Sequence, residues 1–385
     1  MLVQFQNDQA ANNIRVLRTK RRGPILRVDQ DCPDLALAAE GIMLVDGERV
    51  LLLDCGDGLR GLVLGAANPG ARMLLHDDNV GNLELARRNV ALNAAILPNL
   101  CVVNNNWLKR DAAAGEVDVI IFFPDRFSSL KIIAATITVG RRLLAAGGRM
   151  YLVTHRRIGG VRHEAMLHGD FTDVHVIARG HGGYRLLEAR GGGAGPLATS
   201  NLRSVIVFDI LGRRFELESE PSLFAKDGLD DGTRLLLESV DLSAFGRLLD
   251  IGCGWGAVGL VAATVNEHGR VVMVDVDTRA VDVAADNAVR LGLRQRAAIV
   301  ASDNLGTIPG DFDLALSNPP FHADGATLLR LFGLARQKLR PRCELYLVVE
   351  QTYVTRFRLI VESAFGNVRF HTPSDGAFVV LAAHA

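Results

Sequence analysis

The feature that most limits how this chain can fold is an internal repeat. Val50–Gly58 reads as an apolar strand running into a glycine-containing turn, and Arg247–Gly254 reads the same way. Ala86-Arg87-Arg88-Asn89 parallels Ala284-Ala285-Asp286-Asn287, Val117–Asp125 parallels Phe312–Pro320, and Gly148–Val153 parallels Cys343–Val348. The separation stays near 195 to 198 residues, as expected for two copies of one unit with a short indel. Each copy alternates strand-like runs with helical stretches, the pattern of an α/β fold built on a mostly parallel sheet. At 385 residues the chain fits two domains, expected at 1–190 and 200–385. The glycine run Gly191–Pro196 marks the join, and Ser204–Asp209 with Arg214–Glu218 should form a hairpin opening the second domain.

Composition narrows the class. With 49% hydrophobic and 22% charged residues the chain reads as globular, and a formal charge of +0 leaves any attraction to nucleic acid to local patches. Five cysteines (Cys32, Cys55, Cys101, Cys253, Cys343), odd in number and without a C-x-x-C pair, argue against a disulfide framework and a zinc site, so no metal is expected. Met1–Asp8 lacks a basic stretch before an apolar core, and no apolar run is long enough to span a bilayer; the expected setting is cytoplasmic.

The chemistry concentrates in the second copy. Arg247–Gly259 reads as strand, glycine turn and helix start, a place where a ligand can approach backbone N–H groups. Gly254–Gly259 satisfies G-x-G-x-x-G, so a dinucleotide site is one reading. Asp250, just before Gly252, Gly254 and Gly256, would repel a pyrophosphate and attract the ammonium of an amino-acid-bearing cofactor. Strand Val271–Val274 ends in Asp275, placed for ribose hydroxyls, and Ala297–Ala301 ends in Ser302-Asp303, placed for an adenine amine. The alternative for these acids, and for Asp277, is that they cap helices or start turns. Leu314–Ser317 then leads into Asn318-Pro319-Pro320-Phe321. The Asn318 amide and a carbonyl of the rigid Pro319-Pro320 pair can accept hydrogen bonds from an exocyclic amine, and Phe321 can stack on its ring.

From about Ser219 onward these residues resemble class I S-adenosylmethionine methyltransferases. The likeness is nearest to ribosomal RNA guanine-N2 methyltransferases of the small-subunit methyltransferase C and large-subunit methyltransferase G type. It is carried by Pro221–Ala225, Leu229–Leu237, the glycine loop and Ser317–His322. Pro221-Ser222-Leu223-Phe224-Ala225 stands where the family has Pro-Gly-Val-Phe-Ser, Pro341-Arg342-Cys343 where it has Pro-Gly-Gly, and Glu350–Val354 where it has Asn-x-x-Leu-x-Tyr. The resemblance implies two tandem Rossmann-like class I methyltransferase domains, doubly wound seven-stranded sheets, the N-terminal one degenerate. It implies S-adenosylmethionine as cofactor, held by Asp250, the three loop glycines, Asp275, Asp303, Gly232 and Thr233. Asn318, Pro319, Pro320 and Phe321 would be catalytic, with His322 near the substrate. The partner would be ribosomal RNA, a ribosomal subunit or an assembly particle. The Asn-Pro-Pro-Phe core also suits an adenine N6 or a protein glutamine amide, and a non-enzymatic NAD-binding or RNA-binding module is the remaining alternative.

The first copy keeps strand positions and loses chemical ones. Phe123 stands at the place of Asn318, Arg126 at that of Phe321, and Arg60 and Val63 are read as replacing two glycines, which implies an inactive domain. Basic clusters at Arg15, Arg18, Lys20, Arg21, Arg22 and Arg27, and at His155, Arg156, Arg157, Arg162 and His163, are candidate RNA contacts, or else solvated faces.

Overall fold

The structure is a computed structural model that describes residues 2–6, 11–18, 24–26, 32–104, 115–124, 129–191, 203–373 and 376–385. Two compact units divide the chain, Met1–Asn201 and Leu202–Ala385. The first contains a sheet of β1 (Arg49–Leu53), β2 (Arg72–His76), β3 (Leu100–Val103), β4 (Val117–Phe122), β5 (Leu144–His155), β6 (Asp173–Arg179) and β7 (Tyr184–Arg190), in the order β3-β2-β1-β4-β5-β7-β6. The second repeats it with β8 (Arg247–Ile251), β9 (Arg270–Asp275), β10 (Ala297–Ala301), β11 (Phe312–Ser317), β12 (Leu339–Glu350), β13 (Arg369–Phe370) and β14 (Phe378–His384), in the order β10-β9-β8-β11-β12-β14-β13. In both, five strands run parallel and the last two pairings are antiparallel. The order reverses beside the first strand of each copy, the switch point at which open α/β sheets take ligands.

The central strands are apolar on both faces because helices cover both. In the second unit Leu248, Met273, Leu314 and Leu316 join Leu260 and Val261 in one core layer, while Leu249, Ile251, Val272 and Val274 join Phe332 and Phe357 in the other. The hairpin forms as Ser204–Ile210 with Arg213–Ser219. Its turn, Leu211-Gly212, has φ of 50° and 71°, the two positive values of a type I′ turn, and its inner residues Phe208 and Phe215 stack with centroids 5.4 Å apart. In the first unit Leu2–Gln6, Ala11–Arg18 and Pro24–Leu26 form a separate antiparallel sheet. Arg15 and Arg18 lie on its second strand, whereas Lys20, Arg21, Arg22, Arg27 and Arg126 lie outside the described residues. Among the described residues no helix is long and apolar enough to cross a membrane.

The repeat extends to individual hydrogen bonds. Gly56 N donates to Asp77 Oδ2 at 2.9 Å as Gly254 N does to Asp275 Oδ2 at 2.8 Å. Asn89 Nδ2 donates to Asp57 O and Asn287 Nδ2 to Trp255 O, both at 2.9 Å. These pairs correct the alignment of the two glycine turns. Arg49 pairs with Arg72 in register as Arg247 does with Arg270, so Asp54 occupies the position of Gly252 and Leu52 that of Asp250. Asp54 accordingly has φ 54° where Gly252 has 75°. Arg60 and Val63 therefore do not replace glycines: they stand at Val258 and Val261, and Gly56, Gly58 and Gly61 are retained.

Candidate active site

The carboxyl ends of β8, β9, β10 and β11 bring the second unit's polar residues to one sheet edge. Ile251 lies in register with Val274 and Ser317, and Asp275 with Ala301. Ser317 Oγ donates to Ile251 O at 2.9 Å, a buried bond that fixes the end of β11 beside the glycine loop. A Cβ on Gly256 would lie 2.7 Å from Leu260 and 3.1 Å from Met273, so only glycine fits this left-handed position. At Gly254 a Cβ would meet nothing within 4 Å, which makes it the loop's open side.

Four of the loop's N–H groups are engaged internally, contrary to the expectation that they face a ligand. Gly252 and Cys253 donate to Val274 O at 2.8 and 3.1 Å, Gly254 to Asp275, and Gly256 to Cys253 O at 2.9 Å. In the first turn of helix Ala257–Val265, the Gly259 N–H donates to Asp250 Oδ2 at 2.8 Å. A dinucleotide's pyrophosphate needs those donors, and here it would meet a carboxylate instead. The glycine pattern thus lacks the physical basis of an NAD site.

Asp250 is 1% exposed, and its Oδ1 is buried without a hydrogen-bond partner among the described residues. Burial pushes its carboxyl up to about 7, against the Gly259 hydrogen bond that favours the anion. Asp275 is raised as well, again by burial, although Gly254 and Asp277 donate to its two oxygens. Each carboxylate oxygen keeps acceptor capacity for a hydroxyl. Asp303 is partly exposed, and its carboxylate makes no hydrogen bond among the described residues. Asp277 takes the capping role: it accepts from Arg279 N at 2.8 Å at the start of helix Thr278–Arg290 and pairs with the Arg279 guanidinium at 2.8 Å.

Asn318 follows β11, and its backbone carbonyl is 4.0 Å from where a Gly252 Cβ would be. Its Nδ2 donates to Thr233 Oγ1 at 2.9 Å and to Asp230 Oδ1 at 3.4 Å, so its Oδ1 is left as an acceptor. Pro320 O is taken by Ala323 N at 3.1 Å, leaving the Pro319 carbonyl as the second acceptor of the pair. Arg356 Nη1 donates to Phe321 O at 2.8 Å and its Nη2 to Ala323 O, clamping the turn. The Phe321 ring stacks on Tyr353 with centroids 5.5 Å apart, and His322, exposed, meets the Tyr353 hydroxyl at 3.3 Å.

Gly232 and Thr233 lie in the first turn of helix Asp231–Ser239. Thr233 touches Asn318, and Gly232 packs where a Cβ would meet the Phe378 ring at 3.0 Å, so this helix start faces the amide and the core. Sequence reasoning also missed Asp230 and Tyr353. The Asp230-x-x-Thr233 spacing is a helix cap, visible as such, and Asp230 Oδ1 does accept from Thr233 N at 3.0 Å.

In the first unit the position of Asn318 is filled, while Gly56, like Gly254, is open. Phe123 is 2% exposed at the position of Asn318, and Arg60 lies over it, its guanidinium carbon 4.6 Å from the ring centroid. Arg60 also donates to Asp54 O and pairs with Asp34 at 3.7 Å. Arg156, Arg157 and Arg162 are exposed. His163 does not belong to that surface: it is buried, bonded to Thr154 Oγ1 at 2.8 Å, and burial lowers its pKa.

One family model, the methyltransferase small domain, matches residues 36–188 and again residues 214–382. The chain belongs to that family. A relative named ribosomal RNA small subunit methyltransferase C, from Pseudomonas putida (strain W619), is 32% identical over 243 residues, covering 60% of this chain and 69% of that protein. The Pseudomonas entomophila protein of the same name is 32% identical over 179 residues, 43% of this chain and 53% of its own length. A solved T. thermophilus 16S rRNA N2 G1207 methyltransferase (RsmC), in complex with AdoMet and guanosine, superposes with a TM-score of 0.76. It covers 96% of this chain and 97% of that one at 23% identity, which establishes the shared two-unit fold.

Proposed function

We propose that the unit Leu202–Ala385 methylates N2 of a guanosine in small-subunit ribosomal RNA. The observation that carries this reading is the Asn318 amide, whose Nδ2 is bound to Thr233, so that Oδ1 and the Pro319 carbonyl remain for the two N–H groups of an exocyclic amine. The names of the curated relatives favour ribosomal RNA over a glutamine amide, and the T. thermophilus enzyme, solved with guanosine, favours guanosine over adenine.

S-adenosylmethionine, when bound, supplies an electrophilic methyl group on a sulfonium. The residues present fit it: the buried, unpartnered Oδ1 of Asp250 suits its ammonium, the open side of Gly254 leaves room against the loop, Asp275 suits the ribose and Asp303 the adenine amine. Asn318 and Pro319 hold the target nitrogen so that its lone pair turns out of conjugation with the ring. The nitrogen becomes acidic only once the N–C bond forms, so water can take its proton and no strong base is required. Orientation and hydrogen-bond polarisation therefore carry the catalysis. The exposed Pro320 and His322 border the edge where an unpaired or flipped base enters.

The first unit serves as a non-catalytic copy whose exposed Arg156, Arg157 and Arg162 hold RNA phosphates, on naked RNA or on a cytoplasmic ribosomal particle. Incubation of small-subunit RNA with labelled cofactor, followed by nucleoside mass analysis, tests the function. N2-methylguanosine is expected. Label recovered in N6-methyladenosine or in glutamine of a ribosomal protein would contradict the reading. Binding to RNA should weaken with added salt, and less steeply in an Arg156→Glu/Arg157→Glu variant.

A further inference from the structure

We propose that Thr233 is a positioning residue for methyl transfer, acting through Asn318. The inference rests on the reading of Asn318 as the acceptor for the target amine. An asparagine amide is nearly symmetric in shape, and its terminal torsion has broad minima about half a turn apart. An untethered Asn318 would offer the amine its NH2 as readily as its oxygen, and an N–H facing an N–H holds nothing.

The tether is local and shielded. Thr233 is 4% exposed, and its Oγ1 accepts the Asn318 Nδ2 at 2.9 Å. The hydroxyl can accept or donate, whereas the carboxylate oxygen of Asp230 beside it only accepts, so the two together hold the nitrogen side of the amide and turn Oδ1 the other way. The hydroxyl is itself held in place. Thr233 lies in the first turn of helix Asp231–Ser239, where a β-branched side chain has few rotamers, and its own N–H donates to the capping Asp230. Asp230 Oδ1, at 3.4 Å from the same Nδ2, adds a second acceptor on the nitrogen side and none that favours the flip. The cap of one helix thus sets the orientation of a side chain at the end of β11, 85 residues away in sequence.

Thr233→Val keeps the shape and removes the acceptor; Thr233→Ser keeps the acceptor. In single-turnover assays with saturating RNA and cofactor, Thr233→Val should slow transfer by about ten- to a hundredfold, with S-adenosylhomocysteine affinity within twofold of wild type. Thr233→Ser should recover to within about threefold. In the Asn318→Ala background, Thr233→Val should cost nothing further, because the residue it positions is gone. Three results would overturn the proposal: wild-type transfer by Thr233→Val, additive losses in the double variant, or cofactor affinity falling in step with rate. If Thr233→Val does not fold, Thr233→Ala carries the same expectations, and failure of both to fold would make Thr233 a folding residue and overturn the proposal too. The two readings fail separately: wild-type transfer by Asn318→Ala removes the acceptor role itself, whereas a slow Asn318→Ala beside a normal Thr233→Val removes only this inference.

Discussion

Arg60 sits over the ring of Phe123, 4.6 Å from guanidinium carbon to centroid, where the second unit has Val258 and Asn318. The first unit keeps the left-handed turn, the strand-end acid Asp77 and the sheet order, and puts a ring covered by a cation where the second unit has its amide. A full-length chain should therefore bind one S-adenosylhomocysteine, not two. Arg60→Ala should lower stability by about 1 to 2 kcal/mol, the loss of a partly shielded cation–π contact, and leave methyl transfer unchanged. Calorimetric titration and thermal melts check both. A stoichiometry of two in the wild type would mean the first glycine turn still functions.

Asp250 gives the site a pH signature. Burial raises its carboxyl to about 7, so the unliganded protein gains stability from the protonated form below the ordinary carboxylate range and loses it as pH rises through about 7. Cofactor binding should run the other way. An ammonium favours the anion, so binding releases a proton and affinity should rise with pH up to about 7, by at most about tenfold per unit, then level off. Asp250→Asn should flatten that rise. Affinity of the wild type that does not change between pH 6 and 8 would remove Asp250 from ammonium recognition.

Asp275 and Asp77 accept the same backbone hydrogen bonds in their two copies, which makes each the other's control. Asp275→Ala should weaken S-adenosylhomocysteine binding by about 1 to 3 kcal/mol. Asp77→Ala should perturb the first unit's loop and leave that affinity as it was. Equal losses from the two would mean that loop integrity, and not ribose recognition, explains the effect.

Much of this was legible in the sequence because period and punctuation carry it. Alternating apolar runs with glycine turns and the recurring offset predict two copies of an α/β unit, and strand-end acids fall on the carboxyl edge once the sheet is parallel. What was not legible depends on side-chain direction. Nothing in Asp230-x-x-Thr233 says that a helix cap also grips the Asn318 amide, because that contact joins residues 85 positions apart. His163 reads as one more basic residue until its helix turns it inward onto Thr154. By sequence alone Asp54 pairs with Asp250, because the two are alike in type and each follows an apolar run. Only the strand register and the positive φ at Asp54 show that it takes the place of Gly252.

The account stands most directly on the Asn318 carbonyl as acceptor for the target amine, and a single-turnover measurement of methyl transfer by Asn318→Ala tests it. The expected result is a rate lower by on the order of a hundredfold or more, with S-adenosylhomocysteine affinity nearly intact, because those hydrogen bonds strengthen as the amine reorganises in the transition state. A folded Asn318→Ala protein that transfers methyl at close to the wild-type rate would contradict the account.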